Sequence, residues 1–364
     1  MSAVPHCKII AHSDSPHLSQ VYTGFRLLQQ AGALKLHYEL GDCQLRGKAL
    51  RQHAPPLGGL YVQLNDGHVV YYDVRDGADF DAEALDVADF YFKRSYSRAD
   101  TPAQYSNKVM PLGLNYEIYP DKPSVADIRK WMSQPRLSKY FLRSAAQIAT
   151  QLTGYPFLFV PTLSRVQAMP DVSSEPRILF MMHAWDPDEI ADLPEATRAD
   201  RRHVNAMRAE CVSVLRQAFG ERFYGGFAHS EYALKHYPDA LLPDNQLAGK
   251  AKYLELLKNH AICIATTGLH GSIGWKFAEY VAFSRAIVSE QLAFEVPHGF
   301  QQGSHYLAFS TAQECVEVVA RLMQDTALRT QLMQNNHAYY QHYLKPDQLV
   351  AHTLAVVSGS AHVS

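Results

Sequence analysis

The segment "HAICIATTGLHGSIGWKFAEYVAFSRAIVSE", residues 260–290, contains the pattern that decides the fold. The apolar run "AICIATT" predicts a strand, "GLHGSIG" a turn, "GWKFAEYVAF" a helix and "RAIVSE" a second strand. Strands that alternate with helices in this way are typical of a mostly parallel sheet covered by helices. The segment therefore predicts an α/β fold.

The turn of this segment has the composition of an anion-binding site. A helix start offers free N–H groups and the positive end of the helix dipole. Gly268, Gly271 and Gly274 would allow the backbone to approach a phosphate closely. Ser272 can donate a hydroxyl and His270 an imidazole N–H. Such turns also occur for packing alone, so the turn by itself leaves both interpretations open.

Two charged residues follow the turn inside the predicted helix. Lys276 lies in the first turn, where its charge opposes the helix dipole unless an anion binds there. Glu279 lies further along, where its carboxylate could accept hydrogen bonds from both hydroxyls of a ribose. The pair is consistent with a nucleotide site.

The rest of the chain continues the alternation in two halves. Its 364 residues exceed what one hydrophobic core usually covers, and the Pro- and Ser-rich segment 154–176 indicates a junction. We predict domains at 1–165 and 175–345, each with a mostly parallel sheet that binds ligands beyond the carboxyl ends of its strands. The Asn-Asp-Gly turn at 65–67 predicts a hairpin in the first domain.

Composition argues against several classes of protein. The 34 Lys and Arg against 36 Asp and Glu give a formal net charge of −2, which does not favour a nucleic-acid partner. No apolar run reaches about 18 residues, so no membrane-spanning helix is expected. The five cysteines lack CxxC spacing, which favours free thiols over disulfides or a zinc site. We therefore expect a cytoplasmic protein.

The stretch "TTGLHGSIGWKFAEYVAFSRAIVSE" resembles the nucleotide-sugar segment of GT-B glycosyltransferases, in which a helical Glu binds the donor ribose. The resemblance extends loosely over 177–350, where "RILFMMHAWDP" is similar to the first strand and phosphate-side loop of the C-terminal domain. It implies two Rossmann-like domains with mostly parallel sheets that face a central cleft: an acceptor-binding domain at 1–165 and a donor-binding domain at 175–345. It also implies that the segment 346–364 crosses back to the N-terminal domain, which resembles the family only in architecture.

The resemblance implies a glycosyltransferase that moves a sugar from a nucleotide-sugar donor to a carbohydrate or lipid-linked glycan acceptor. We expect a role in the synthesis of a bacterial-type surface polysaccharide or glycoconjugate, with peripheral association at the inner membrane face. Gly271 stands where retaining enzymes commonly carry a Glu, which favours inversion. The expected donor-binding residues are His183, Gly268, His270, Gly271, Ser272, Lys276 and Glu279.

An inverting transfer requires a general base for the acceptor hydroxyl. Asp14 follows the first predicted strand and is the candidate; His12 and His17 in the same loop are alternatives. Asp14 could instead serve only as a turn residue. Lys93 and Arg94 end another predicted strand and are candidates for contacts with a phosphate or an acidic acceptor, or form a solvated pair.

No metal or other cofactor is expected. The Asp-Pro-Asp sequence at 186–188 has the form of a metal motif, but beside its Pro it is interpreted as a turn that enters a helix. Two other functions stay open at this point: a nucleotide-sugar 2-epimerase of the same architecture, and a sugar-nucleotide-binding module without catalysis. The sequence does not indicate the base, the sugar, the acceptor or the oligomeric state.

Overall fold

The computed structural model describes residues 4–11, 15–39, 42–50, 59–65, 67–133, 139–155, 157–172 and 175–359. The chain forms two compact units. Unit 1 comprises Met1–Val166, Glu295–Gly299 and Gln341–Ser364, and unit 2 comprises Gln167–Phe294 and Phe300–Tyr340. Asp14 and His12 lie outside the described residues.

The strands and helices are numbered along the whole chain. The strands are β1 (His6–Ala11), β2 (Lys35–Tyr38), β3 (Cys43–Leu45), β4 (Lys48–Leu50), β5 (Gly59–Leu64), β6 (His68–Asp73), β7 (Phe90–Lys93), β8 (Val109–Pro111), β9 (Ile178–Met182), β10 (Phe223–Phe227), β11 (Ile262–Ala265), β12 (Ala286–Glu290) and β13 (Tyr306–Phe309). The helices are α1 (Ser19–Gln30), α2 (Ala82–Val87), α3 (Val125–Ser133), α4 (Lys139–Thr153), α5 (Glu195–Phe219), α6 (Glu231–His236), α7 (Lys250–Lys258), α8 (Trp275–Ala282), α9 (Ala312–Gln324), α10 (Thr326–Tyr339) and α11 (Pro346–Val357).

Unit 1 contains a six-stranded sheet in the order β2-β1-β5-β6-β7-β8. The pairs β1–β2, β6–β7 and β7–β8 are parallel, while β5 runs antiparallel to both of its neighbours. The predicted hairpin is confirmed, because β5 and β6 pair from Leu64↔His68 to Gly59↔Asp73. Asn65 adopts a positive φ of 50°, as an Asn-Gly type of turn requires, although Asp66 lies outside the described residues.

Helix α11 packs against α1 within unit 1. Gly24 makes this possible, since a Cβ at that position would lie 2.1 Å from the Pro346 carbonyl oxygen. The Gln20 amide donates to the Leu344 carbonyl at 2.9 Å, and the Tyr72 hydroxyl lies 2.7 Å from the Thr353 hydroxyl. Leu349, Val350 and Val357 thereby join the core of the first sheet.

Unit 2 contains a five-stranded, fully parallel sheet in the order β10-β9-β11-β12-β13. Strands β9 and β11 are buried along their length, as expected for a sheet covered on both faces. From β9 the chain passes outward to β10 and then returns to the other side of β9 for β11. The strand order therefore reverses between β9 and β11, which is where open α/β sheets bind ligands.

The two α/β units, each with a mostly parallel sheet, confirm the predicted fold class. Across the described part of the chain, every helix is too short or too polar to cross a membrane.

Candidate functional site

The glycine-rich turn connects β11 to α8 at the point where the strand order reverses. Leu269–Gly271 form a single 3₁₀ turn, closed by bonds from Gly268 N–H to Ser272 C=O (2.8 Å) and from Ser272 N–H to Leu269 C=O (3.1 Å). His270 and Gly271 have φ values of 60° and 70°, a conformation that non-glycine residues rarely adopt. The sequence prediction of a turn at this place is thus correct in position.

Helix α8 begins directly after Gly274, and its first N–H groups lack intrahelical partners. The N-cap residue, Gly274, has no side chain and so makes no side-chain cap. A Cβ added at Gly274 would meet no described atom within 4 Å. Among the described residues, the space beside Gly274 is therefore open, as an anion site at this helix start requires.

Arg208 of α5 ties together the ends of the two strands that flank this point. It is 7% exposed, and its guanidinium donates to the Thr266 hydroxyl (2.9 Å), the His183 carbonyl (2.8 Å) and the Thr267 carbonyl (3.3 Å). Burial lowers the pKa of Arg208 to about 10, although Glu290 opposes the shift, so the group is cationic at neutral pH. Arg208 thus fixes a buried positive charge beside the turn.

Glu290, at the end of β12, holds the other side of Thr267. Its carboxylate accepts from the Thr267 N–H (2.8 Å) and the Thr267 hydroxyl (3.0 Å). Asp200 of α5 accepts from the His270 N–H at 3.0 Å. The turn is therefore held by side chains from elements far away in sequence.

Lys276 and His183 lie near each other at the same edge of the sheet. The Lys276 ammonium donates to the Met181 carbonyl at 2.7 Å. Burial lowers the pKa of Lys276 to about 8, partly offset by Glu279. His183 keeps accessible surface, yet desolvation and then the charges of Lys276 and Arg208 lower its pKa, so its imidazole is neutral at pH 7. The pair can offer one ammonium and one neutral imidazole to a phosphate.

Glu279 is fully buried in α8, and its charge adds to the effect of burial in raising the pKa of the neighbouring Tyr253 hydroxyl. Its Oε1 forms an ion pair with Lys250 of α7, and its Oε2 has no hydrogen-bond partner among the described residues. The ammonium groups of Lys250 and Lys276 each lie 5.5 Å from the ring centre of Tyr253. A buried carboxylate oxygen without a donor is costly, so a ligand hydroxyl at this position would be stabilised.

The Asp-Pro-Asp sequence lies in the connection from β9 to α5. The Asp186 carboxylate accepts from the Asp188 N–H at 2.8 Å, and Asp188 pairs with Arg198. Within the described residues, no group of three or more His, Cys, Asp or Glu side chains is arranged to hold a metal ion. The expectation of a reaction without metal stays a prediction.

Lys93 and Arg94 belong to unit 1, where carboxylates already pair with them. Lys93 is fully buried, 3.2 Å from Asp73, and it donates to the Asp79 carbonyl at 2.8 Å. Arg94 is 5% exposed and lies 2.5 Å from Asp76. The idea of a solvated loop pair is wrong for both residues. Their contact with a phosphate or acceptor stays a prediction, and these ion pairs give them a structural role without it.

The structure brings together the donor-binding candidates of unit 2, at the ends of β9 and β11 and the start of α8. Sequence reasoning missed Arg208, Lys250 and Asp200. A signal for Arg208 existed: it follows Val204 and precedes Val212 at four-residue spacing, on the buried face of α5. An Arg on the apolar face of a helix indicates a buried partner.

The comparison with known families matches residues 201–355 to a family described as glycosyl transferase-like. No curated protein sequence matches the chain. The match includes Arg208, Lys250, the turn and Glu279, so it covers most of the site built above.

Several solved structures are similar to parts or most of this chain at low identity. Anabaena Alr3699/HepE in complex with UDP is 11% identical with a TM-score of 0.40, over 76% of this chain and 65% of that one. WaaG, a glycosyltransferase involved in lipopolysaccharide biosynthesis, is 11% identical with a TM-score of 0.37, over 97% and 99%. A provisionally named UDP-N-acetylglucosamine 2-epimerase from Listeria monocytogenes is 11% identical with a TM-score of 0.39, over 97% and 74%.

Similarities of this size carry no argument about activity or substrate. The match to a family model and the two α/β units indicate the family and the fold. Residues 201–355 thus match the glycosyl transferase-like family, and the chain forms the two mostly parallel α/β units that the predicted GT-B fold requires.

Proposed function

We propose that this protein transfers a sugar, with inversion, from a nucleotide-sugar donor to a glycan or lipid-linked glycan in the synthesis of a surface polysaccharide or glycoconjugate. The observation that carries the proposal is the buried Oε2 of Glu279, which has no hydrogen-bond partner among the described residues, on a helix that starts after Gly274 and beside the cations Arg208 and Lys276. A ribose hydroxyl would satisfy Glu279, and a diphosphate would meet the helix start and the cations.

The chemistry follows from these placements. As the base removes the proton of the acceptor hydroxyl, the acceptor oxygen attacks the anomeric carbon of the donor sugar. The bond from the anomeric carbon to the phosphate oxygen breaks. The leaving nucleoside diphosphate gains negative charge, which the N–H groups of α8 and the charge of Lys276 stabilise. Asp14 is the proposed base, and no metal is required for these steps. Transfer that is lost in excess EDTA and restored by Mn²⁺ would contradict the last point.

Nucleotide binding tests the proposal directly. Calorimetry with UDP, GDP, CMP and dTDP should identify at least one ligand, and Glu279→Gln should weaken its binding by about 1.5–3 kcal/mol, the range for hydrogen bonds to a charged group. Glu255→Gln on the exposed face of α7 is the matched control and should bind normally. Equal affinity of both variants would rule out the role of Glu279 in binding the ribose. Conversion of UDP-N-acetylhexosamine to its 2-epimer in the absence of an acceptor would favour an epimerase.

The open space at Gly274 offers a second test. We expect Gly274→Val to weaken nucleotide binding about tenfold or more, because the new side chain occupies the space in front of the helix start. Its φ of −69° accepts any L-residue, whereas Gly271 has a positive φ and Val there would strain the backbone.

Gly249 provides the control for this change, because it also precedes a helix, α7, with nearly the same backbone angles. Gly249→Val should cost similar stability and leave nucleotide affinity unchanged. Calorimetry measures the nucleotide affinity of both variants, and thermal unfolding measures their stability. Normal binding by Gly274→Val would show that the phosphate does not approach this helix end.

Nucleotide affinity should also depend on pH through Lys276. The protonated ammonium of Lys276 attracts an anion. Nucleotide affinity is therefore highest below the Lys276 pKa of about 8 and decreases as the pH rises through that value. Phosphate ionises with a second pKa of about 6, so the charge of the phosphate groups is constant in this range. From pH 7 to pH 9 we expect a decrease of up to about tenfold, which Lys276→Met should abolish.

Calorimetric titrations at both pH values test this dependence. Lys252→Met, an exposed lysine on α7, should leave it intact. If the wild-type protein bound nucleotide equally well at pH 7 and pH 9, Lys276 would not contact the phosphate.

We further propose a cytoplasmic protein that associates with an anionic membrane surface. Six apolar side chains of α3, α4 and the following loop are 58–68% exposed: Val125, Met132, Leu142, Leu152, Tyr155 and Phe157. Residues 121–143 contain six basic and two acidic residues, which favours anionic lipid. Each of the five cysteines lies in the described residues as a free thiol, which supports a reducing location.

Sedimentation with vesicles tests the membrane proposal. The protein should pellet with vesicles that contain phosphatidylserine, and the variant Leu142→Ser/Leu152→Ser should pellet less. Leu234→Ser, at an exposed leucine of unit 2, is the control. Equal pelleting of all three proteins would exclude α4 as the contact.

A further inference from the structure

A cavity in unit 1 has no role in the donor site described above. It has a volume of about 120 Å³ and lies between α1 on one side and α3 and α4 on the other. From α4 it is lined by Arg143, Gln147 and Gln151, which recur at four-residue spacing and so share one helix face. The exposed Leu142 and Leu152 lie on other faces of α4, so the cavity is distinct from the proposed membrane contact.

Aromatic rings form much of the cavity wall. Tyr22 and Tyr38 lie with their ring centres 6.4 Å apart, and Tyr119 and Trp131 contribute further rings. Trp131 stacks on Phe141 at 5.0 Å, and its indole N–H donates to the Phe141 carbonyl at 3.1 Å. The indole plane is therefore fixed before a ligand arrives. Flat rings of this kind match the apolar C–H face of a sugar ring.

The charges of the described residues that line the cavity are balanced. Arg26 Nε lies 4.0 Å from the Asp127 carboxylate, and Arg143 pairs with Glu117, which also accepts from the Tyr119 hydroxyl at 3.0 Å. Because each cation has a carboxylate beside it, a phosphate that entered would be desolvated without gaining an unpaired positive charge. The cavity therefore favours a neutral ligand over an anionic one.

Hydrogen-bonding groups remain available in the cavity. Arg26 Nε is buried and has no hydrogen-bond partner among the described residues. The Gln151 amide donates to the Pro120 carbonyl at 2.6 Å, which orients the side chain and leaves its oxygen as an acceptor. A ligand with several hydroxyls can serve both a free donor and a free acceptor, since a hydroxyl does either.

We propose that this cavity binds a neutral carbohydrate, the glycan part of the acceptor. The identification of this carbohydrate as the acceptor rests on the proposed function. The binding of a carbohydrate is inferred from the fixed aromatic wall, the balanced charge and the free polar groups. The assignment narrows the acceptor class, because it places an uncharged sugar ring, and not a sugar phosphate, in unit 1.

Saturation-transfer NMR on the full chain tests the proposal. The probes are the methyl glycosides of glucose, galactose, mannose and N-acetylglucosamine at about 10 mM, a concentration that populates complexes with millimolar Kd. At least one should receive saturation at its ring C–H protons. Gln147→Leu should weaken this binding about 2–10-fold, as for the loss of one neutral hydrogen bond. Gln313→Leu, the same change on the exposed face of α9, should not.

Three results would overturn the proposal: saturation of none of the four glycosides, equal binding by Gln147→Leu and the wild-type protein, or displacement of the glycoside by inorganic phosphate. UDP is titrated separately on the same samples. Glycoside binding without nucleotide binding would reject the glycosyltransferase while leaving the carbohydrate site standing. Nucleotide binding without glycoside binding would reject the cavity alone.

Discussion

Turnover should fall by about 10²–10⁴-fold in Asp14→Asn, the range for loss of a general base, while donor affinity stays nearly unchanged. The amide is nearly isosteric but cannot take a proton from the acceptor hydroxyl at neutral pH. Asp14 itself lies outside the described residues; in the sequence it follows β1, which ends at Ala11, and precedes the 3₁₀ turn Pro16–Leu18. Catalytic residues of open α/β sheets are expected after the carboxyl ends of strands.

The matched control is Asp100→Asn, at an exposed aspartate of unit 1, which should keep full activity. Steady-state rates of nucleotide release, with calorimetry for donor affinity, separate the two steps. If Asp14→Asn keeps most of its activity, the base lies elsewhere. His17 is then the next candidate, because burial and the nearby charge of Arg94 lower its pKa and keep its imidazole neutral.

The free energy of unfolding should decrease by about 3–5 kcal/mol in Arg208→Met, because three acceptors lose hydrogen bonds from one buried, charged donor. The methionine fills similar space but donates to none of the three acceptors at the ends of β9 and β11. The Glu290 carboxylate would also lose its nearby cation. Because the turn at 268–274 follows the end of β11, we expect nucleotide binding to weaken in Arg208→Met as well.

Urea unfolding of the full chain measures the free energy of unfolding. Calorimetry on the folded protein measures nucleotide affinity. Arg202→Met on the same helix is the control: its side chain is 50% exposed and pairs with an exposed Glu195. That change should cost less than about 0.5 kcal/mol. Equal stability of the two variants would show that the Arg208 hydrogen bonds do not hold the strand ends.

Local features of the site could be predicted from the sequence. The turn at 268–274, the helix that carries Glu279 and the hairpin at 65–67 each depend on neighbouring residues, because glycine and asparagine permit backbone angles that few others adopt. The parallel sheet of unit 2 followed from the alternation of strands and helices.

Features that depend on distant partners could not be predicted. The burial of Lys93 follows from the register of β6 and β7, which places Asp73 opposite Lys93. The ion pair of Glu279 joins it to Lys250, 29 positions earlier in the chain. Neither strand register nor the approach of α7 to α8 has a signature in the local sequence, so the partners of these charges appear only in the folded chain.

The packing of α11 on α1 has a consequence for the order of events during synthesis. Gln20 and Leu344 are 324 positions apart in the sequence. At a translation rate of about 5–20 residues per second, α11 is therefore synthesised about 15–65 s after α1. During that interval the apolar side chains that α11 later covers stay accessible. Ribosome-bound chains that stop before Pro346 should therefore be cut by protease within α1, while released full-length protein resists; equal resistance would mean that the nascent N-terminal part closes its core without the last helix.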